Sequence, residues 1–473
     1  MKKILVAAAV MACFGTAGAA EDITVDVAVI GAGGAGLSAA VQAHELGANV
    51  VVVEKMAMVG GNTVRAAGGL NAVGTALQQA KGTKDSVEIM FYDTMKGGHW
   101  LNDPALVRTL VTKSASSVYW LLAHGGDLRD VGLMAGASQP RTHRPTGGAL
   151  VGPEVVRTLY TAAKNLKIDV RTNTHAEQIL TDKSGRVVGL KVKGKDGTYT
   201  IHSKALVDAA GGFGANNEMV AKYVPRLKGF ATTNHPGATG DGLLLAEKIG
   251  AQLIQMDQIQ THPTVVPNVG EMITEAVRGN GAVLINKEGK RFMDEHAGRK
   301  IKSDALFNVI GKDENYPIAI ASEEIVKAIN PSFVKLPIEM GTVKKFNTLE
   351  ELADHFKINK APFLEQVERF NGFVAKQEDP EFHRILKFQN GLNLAKGPYY
   401  GIEVAPKIHH TMGGVMINPD SQVISATTHA PIKGLYAGGE ITGGVHGASR
   451  LGTVAVIDAL TFGMIAGEHF AAM

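Results

Sequence analysis

Gly31-x-Gly33-x-x-Gly36 and the acid Glu54 are the first residues in the chain whose types and spacing could do chemistry together. The glycines follow an apolar run, ITVDVAVI, and open a run of helical period, LSAAVQAHELG. Glu54 closes the next apolar run, ANVVVVE, eighteen residues past Gly36. In a strand–turn–helix–strand unit the first glycine makes the turn and the second lets a pyrophosphate approach the backbone. The third packs helix against sheet. The helix N-terminus turns its positive end on the phosphates, and the acid accepts the ribose hydroxyls. Residues 26–54 therefore read as a dinucleotide site.

Two features favour FAD over NAD. The fingerprint occurs once, whereas a flavoprotein reduced by NAD(P)H usually carries a second nucleotide site. A second glycine cluster, Gly60-Gly61-Asn62-Thr63 through Ala67-Gly68-Gly69, follows the second strand, where an extended flavin and its ribityl chain would run. Near the far end, Gly434-Leu435-Tyr436-Ala437-Gly438-Gly439-Glu440 reads as strand, turn and acid, suited to a ribityl contact by Glu440. Lys55, Gly211, Asp241 and Ala455 complete the predicted cofactor set. Elsewhere, Glu275 and Arg278 stand three apart and would share a helix face; the residues alone fit a structural ion pair more readily than a catalytic one. His409-His410 lacks a carboxylate or cysteine at metal spacing, and no metal site is predicted.

These groups need elements to hold them. Residues 187–190 and 198–201 flank the turn Lys195-Asp196-Gly197 and predict a hairpin. Residues 348–356 and 363–377 read as amphipathic helices. Glycine is scarce between residues 292 and 390 and dense on either side. The expected fold is α/β: a Rossmann-like cofactor domain from residues 21–256 and 411–473, interrupted by an inserted α+β capping or clamp domain at 257–410. A tail helix over 456–470 closes it.

The chain has 473 residues, 45% hydrophobic and 20% charged, with a net charge of +3 and no basic stripe, which argues against nucleic acid. Its 56 glycines are about 12% of the chain against a usual ~7%. Lys2 and Lys3, an apolar stretch over 4–14 and small residues through Ala20 read as an export signal over residues 1–20, cleaved near Ala19-Ala20, with a periplasmic destination. A weaker alternative is lipidation at Cys13. That cysteine is the single one in the sequence, so no disulfide, thiolate zinc site or Cys-x-x-Cys-His haem attachment is expected.

Seven stretches make the chain recognisable: HRPTGGA (143–149), TNHPGATGDG (233–242), QTHPT (260–264), TEAVRGNGA (274–282), RFMDE (291–295), HHTMGGV (409–415) and GGVHGASRLG (443–452). Together they resemble the fumarate reductase/succinate dehydrogenase flavoprotein superfamily, specifically the soluble periplasmic fumarate reductases of flavocytochrome c type. The resemblance implies reduction of an α,β-unsaturated carboxylate, with flavin N5 as hydride donor and Arg299 as proton donor. Glu275 and Arg278 would reload that arginine, whose high pKa demands a relay. It assigns His262 and Thr274 to one end of the substrate, His410 and Arg450 to the other, and Met134 and Met272 to apolar contacts that could twist the alkene. Membrane-bound relatives attach flavin through a histidine where this chain has Asn62, so noncovalent FAD is expected. Flavocytochrome relatives carry a multihaem domain. Its absence here implies a separate periplasmic multihaem cytochrome c as electron donor.

The chain departs from the family pattern at Thr453-Val454, where Gly-Asn is usual, at Ala210, where a hydroxyl is usual, and at Lys300, where Asp is common. None removes a predicted catalytic group. They keep open a methacrylate- or acrylate-type reductase, and, in a different class, a noncatalytic electron-transfer flavoprotein.

Overall fold

The computed structural model describes residues 21–134, 136–267, 272–311, 314–329 and 334–470. The expected signal and Cys13 lie outside them. Valine-rich strands Ile23–Ile30 and Val50–Val53 pair in parallel, as a run buried on both faces should. Ile23–Ile30 also pairs in parallel with Gly197–Asp208, and that strand with Pro431–Ala437, so both ends of the chain build one eight-stranded sheet. The predicted hairpin forms its antiparallel flank as Val187–Gly194 and Gly197–Asp208.

Helix Gly34–Glu45 lies against the sheet, and the C-terminal helix Val454–Phe470 lies against that helix. Small residues set this approach. A Cβ on Gly463 would sit 2.4 Å from the Ala35 carbonyl oxygen, and one on Gly467 2.5 Å from that of Ala39. A side chain at either position would push the tail helix, and with it the loop before it, away from the sheet.

A second core, spanning Val266 to Val404, surrounds an antiparallel sheet of four strands: Val283–Ile285, Ile318–Ser322, Tyr399–Glu403 and Lys344–Phe346. The two predicted amphipathic helices appear here as Leu349–Phe356 and Lys360–Lys376. Thr348 caps the first by accepting a 3.2 Å bond from the Glu351 N–H. The chain enters this region through strand Ile259–Val265 and leaves through Ala405–Thr411, and the two pair antiparallel with each other. That paired crossing carries His262, His409 and His410 between the two cores.

One buried ionic cluster braces the second core. Arg291 pairs with Glu295 (2.7 Å) and Asp379 (2.9 Å), all three side chains fully buried. Arg384 pairs with Glu295 at 3.1 Å and donates to the carbonyls of Arg278 (2.7 Å) and Ala282 (3.0 Å). The RFMDE stretch is thus a support for the helix Glu275–Gly279. Against burial, Arg291 and Arg384 hold the Glu295 carboxyl down at about 2.

Candidate active site

Where the two cores meet lies a continuous cavity of about 470 Å³. Its wall includes nearly every residue singled out from sequence: Gly31, Gly33, Glu54, Lys55, Gly61, Asn62, Thr63, Ala67, Gly68, Gly69, Gly211, Asp241, Glu440 and Ala455 toward the large sheet, and Met134, His262, Met272, Thr274, Glu275, Arg299, His410 and Arg450 toward the crossing. Gly36 and Arg278 stand behind the wall. Gly36 has a packing role: a Cβ there would sit 1.8 Å from the Gly31 carbonyl oxygen, so only glycine permits the turn.

At the sheet end, Glu54 is buried and accepts from the N–H groups of Ala32 (2.9 Å) and Met56 (2.8 Å), which aims its carboxylate along the cavity. Helix Gly34–Glu45 starts at the wall behind Gly33, which makes no cap bond, and the Gly34 N–H donates to the Thr63 hydroxyl at 2.9 Å. Lys55 pairs with Asp241 at 2.6 Å, and His175 reaches the same carboxylate at 3.2 Å. Asn62 donates to Asn234 (2.6 Å) and Glu440 (2.8 Å) and accepts from the His235 N–H (2.7 Å), so its amide orients the loop instead of offering a nucleophile. Burial pushes the Glu440 carboxyl up despite this bond. Glycine backbone at the turn, a helix N-terminus at the wall and a buried acid fit an adenine dinucleotide.

At the crossing end, Arg299 opens helix Arg299–Ile310. Its Nε and Nη2 grip the two Glu275 oxygens at 2.8 and 3.1 Å, the two-point geometry that makes guanidinium–carboxylate pairs strong. Arg299 holds Glu275 well below the usual carboxylate range, against burial that opposes this. Arg278, one turn along the short helix, is 3.9 Å from the same carboxylate and bonded to the Thr264 hydroxyl. Burial brings its guanidinium down to about 10. Thr274 spends its hydroxyl in part as the N-cap of this helix, accepting from the Ala276 N–H at 3.3 Å.

Opposite stands Arg450. It is buried, no described carboxylate pairs with it, and its one hydrogen bond goes to the Leu451 carbonyl at 3.1 Å. Its Nε is buried without a partner. Burial first, then the charge of Arg299, pulls its guanidinium down to about 9. His410 adjoins it, with Nδ1 3.6 Å from Glu440 and a buried, unpartnered Nε2. Burial holds His262, His409 and His410 well below the ordinary histidine value, with Arg299 or Arg450 adding to it. All three stay neutral at physiological pH, able to donate one N–H each.

Two residues of the crossing were missed by sequence reasoning, His409 on the wall and Gln260 behind it. Gln260 accepts from Arg299 Nη1 (2.9 Å) and donates to the Arg450 carbonyl (2.9 Å) and the Ser449 hydroxyl (3.0 Å), tying both sides together. His409, given no role from the sequence, stacks edge-on against His262 at 5.2 Å and bonds Thr233 at 2.7 Å. Alternation along Ala405–Thr411 cannot reveal which of two adjacent histidines faces the cavity, and here both line it. Thr453, the departure from Gly, adopts φ +64°, a left-handed backbone that costs a β-branched residue energy. Its hydroxyl bonds Asn71 at 2.5 Å and Gly452 at 2.6 Å, and Thr142 adjoins at 3.2 Å, which holds it there.

The sequence profile of one protein family, described as an FAD binding domain, matches residues 26–456. A fumarate reductase (cytochrome) of Shewanella frigidimarina is 48% identical over 449 residues, 95% of this chain and 77% of that one. The acrylate reductase flavoprotein subunit of Shewanella woodyi is 32% identical, over 94% and 91% of the two chains. Among solved structures, the open conformation of a flavocytochrome c3 fumarate reductase superposes with a TM-score of 0.82 at 42% identity, covering 96% of this chain and 79% of the other.

Proposed function

Because the chain belongs to the FAD-binding family of fumarate reductase flavoproteins, and is therefore an FAD-dependent reductase of an unsaturated carboxylate, we propose that its substrate is a dicarboxylate, fumarate first, reduced to succinate. The observation that carries this is Arg450: a buried guanidinium with no described carboxylate on it and His410 beside it, on a wall that also carries His262 and Thr274, so the site offers groups for two carboxylates.

Bound FAD would supply the hydride. Residues 31–36, Glu54, Gly61–Gly69 and Glu440 would hold it without a covalent bond, since the Asn62 amide is engaged by Asn234, Glu440 and His235. Arg450 and His410 would grip one carboxylate, His262 and Thr274 the other. The Arg299 guanidinium would protonate the second alkene carbon. Glu275, on both its nitrogens, would return the proton, with Arg278 next in line. Met134 and Met272 would close the cavity over the double bond and limit water.

We further propose a periplasmic location, on the strength of residues 1–20, and a separate multihaem cytochrome c as electron donor, on the single nucleotide fingerprint and the lack of haem-attachment cysteines. Reduced viologen with a panel of fumarate, methacrylate, acrylate and other 2-enoates tests the substrate. Fumarate turnover fastest by kcat/KM supports the dicarboxylate reading. Methacrylate or acrylate turnover equal to it or faster overturns that choice in favour of a monocarboxylate. A protein that accepts electrons and reduces no enoate is a carrier. Acid precipitation that releases all the FAD supports the noncovalent site.

A further inference from the structure

Lys302 is a buried cation that the proposed chemistry leaves unused. It lies one turn along helix Arg299–Ile310 from Arg299 and is 2% exposed. Charged and titratable groups face it from each neighbouring element. Arg299 is on its own helix, Glu275 and Arg278 are on the short helix, and His262 is on the crossing strand. Asp294 and His296 are on the preceding turn. No described carboxylate forms an ion pair with its ammonium: Glu275 is gripped by Arg299, and Glu295 by Arg291 and Arg384. Three cations, Arg278, Arg299 and Lys302, thus crowd one carboxylate.

Crowding of this kind acts differently on the two residue types. Arginine keeps its proton, whereas a desolvated lysine among like charges releases it readily. Burial, reinforced by Arg278, brings Lys302 down to about 7, while Arg278 stays at about 10. A side chain needed only to fill this volume would be apolar, and one needed only for charge would sit on a carboxylate.

We propose that Lys302 is the positioning residue that loads the relay: after each turnover its ammonium passes a proton to the Glu275–Arg278 pair, and so to Arg299, and is recharged from solvent. One N–H bond breaks at Lys302 and one forms at the Arg299 guanidine. Glu275 and Arg278 return to their starting states, water supplies the recharging proton, and no electrons move. The inference rests on the reductase reading above.

The test compares wild type, Lys302→Met and Lys302→Arg as FAD-loaded enzymes, with reduced viologen and fumarate across about pH 6 to 10. In the wild type kcat should fall above neutrality through one ionisation. In K302M kcat near neutrality should drop roughly tenfold or more, with KM within about twofold and the alkaline limb gone. In K302R the limb should move up by more than about two pH units, because arginine does not deprotonate there. If the Met variant does not fold, K302R carries the test. Melting temperature gives a reading independent of turnover. A lysine lowered in the fold costs stability fully below its folded value, and the cost fades as pH rises toward the unfolded value. Wild type should therefore gain on K302M, and on K302R, between about pH 7 and 10. The same limb in all three proteins, with melting differences flat in pH, overturns the proposal. Wild type that turns over no enoate overturns the reductase reading and the relay together; turnover with an unmoved limb overturns the relay alone.

Discussion

At the crossing end the cavity wall carries Arg299, its side chain 12% exposed, and the buried Arg450, and the two are kept in opposite states. Arg299 is gripped at two points by Glu275 and bonded to Gln260, so its charge is balanced and its direction fixed. Arg450 has a single bond to its neighbour's carbonyl and a bare Nε, and burial weakens its hold on its proton. A balanced cation has little to gain from an incoming anion; an unbalanced one gains much, because the anion repairs a desolvation cost already incurred in folding. On the function proposed above, the contrast would separate proton delivery from substrate grip without a difference in residue type.

The largest test of this contrast is Arg299→Met. Removing a general acid should lower kcat by about 10²- to 10⁴-fold with little change in KM. It should also lower stability, since Glu275 loses its two-point partner and keeps only the 3.9 Å contact with Arg278. Viologen kinetics and chemical denaturation read the two effects. Arg450→Met should do the reverse. KM for fumarate should rise by roughly 2–4 kcal/mol in binding terms, about 30- to 1,000-fold. The ligand-free protein should become more stable by about 1–4 kcal/mol, as expected when a buried unpaired charge is replaced by an apolar side chain. A destabilised Arg450→Met protein would erase the distinction. Next in size is Gln260→Leu, which cuts the tie between the two sides and should cost about tenfold in kcat/KM, close to the loss of one or two hydrogen bonds.

The smallest effect is a pH dependence. His262, His409 and His410 sit below their ordinary value in the fold and near 6.5 in the unfolded chain. The unfolded chain therefore takes up more protons in acid. Stability is unaffected above about pH 6.5 and falls as pH drops below it. The melting temperature should decline from pH 7 to pH 5.5, by about a few degrees, and His410→Gln should flatten the decline. An identical slope in that variant would count against a neutral, buried His410.

The sequence carried the cofactor end well because that end is built from local rules. A glycine turn, a strand–helix–strand period and an acid at fixed spacing are each short-range, and the structure places all of them on one wall. Glu54 was legible for this reason. The crossing end was legible only by resemblance. Arg299, Glu275 and Arg450 are far apart in the chain, and their meeting depends on two strands pairing across the cores. Nothing local distinguishes Gln260 from any strand glutamine, nor Lys302 from a solvated lysine on a helix with a weak apolar face. The RFMDE stretch, which carried part of the resemblance, is a brace of the second core, with Arg291 and Glu295 buried away from the cavity wall.

Gln260 has one more consequence. A single planar amide takes its acceptor bond from Arg299 and gives its donor bonds to the backbone of Arg450 and to Ser449. The start of helix Arg299–Ile310 and the loop that carries Arg450 are thereby pinned to one side chain, as two leaves share a hinge pin, so a displacement of either is felt by the other.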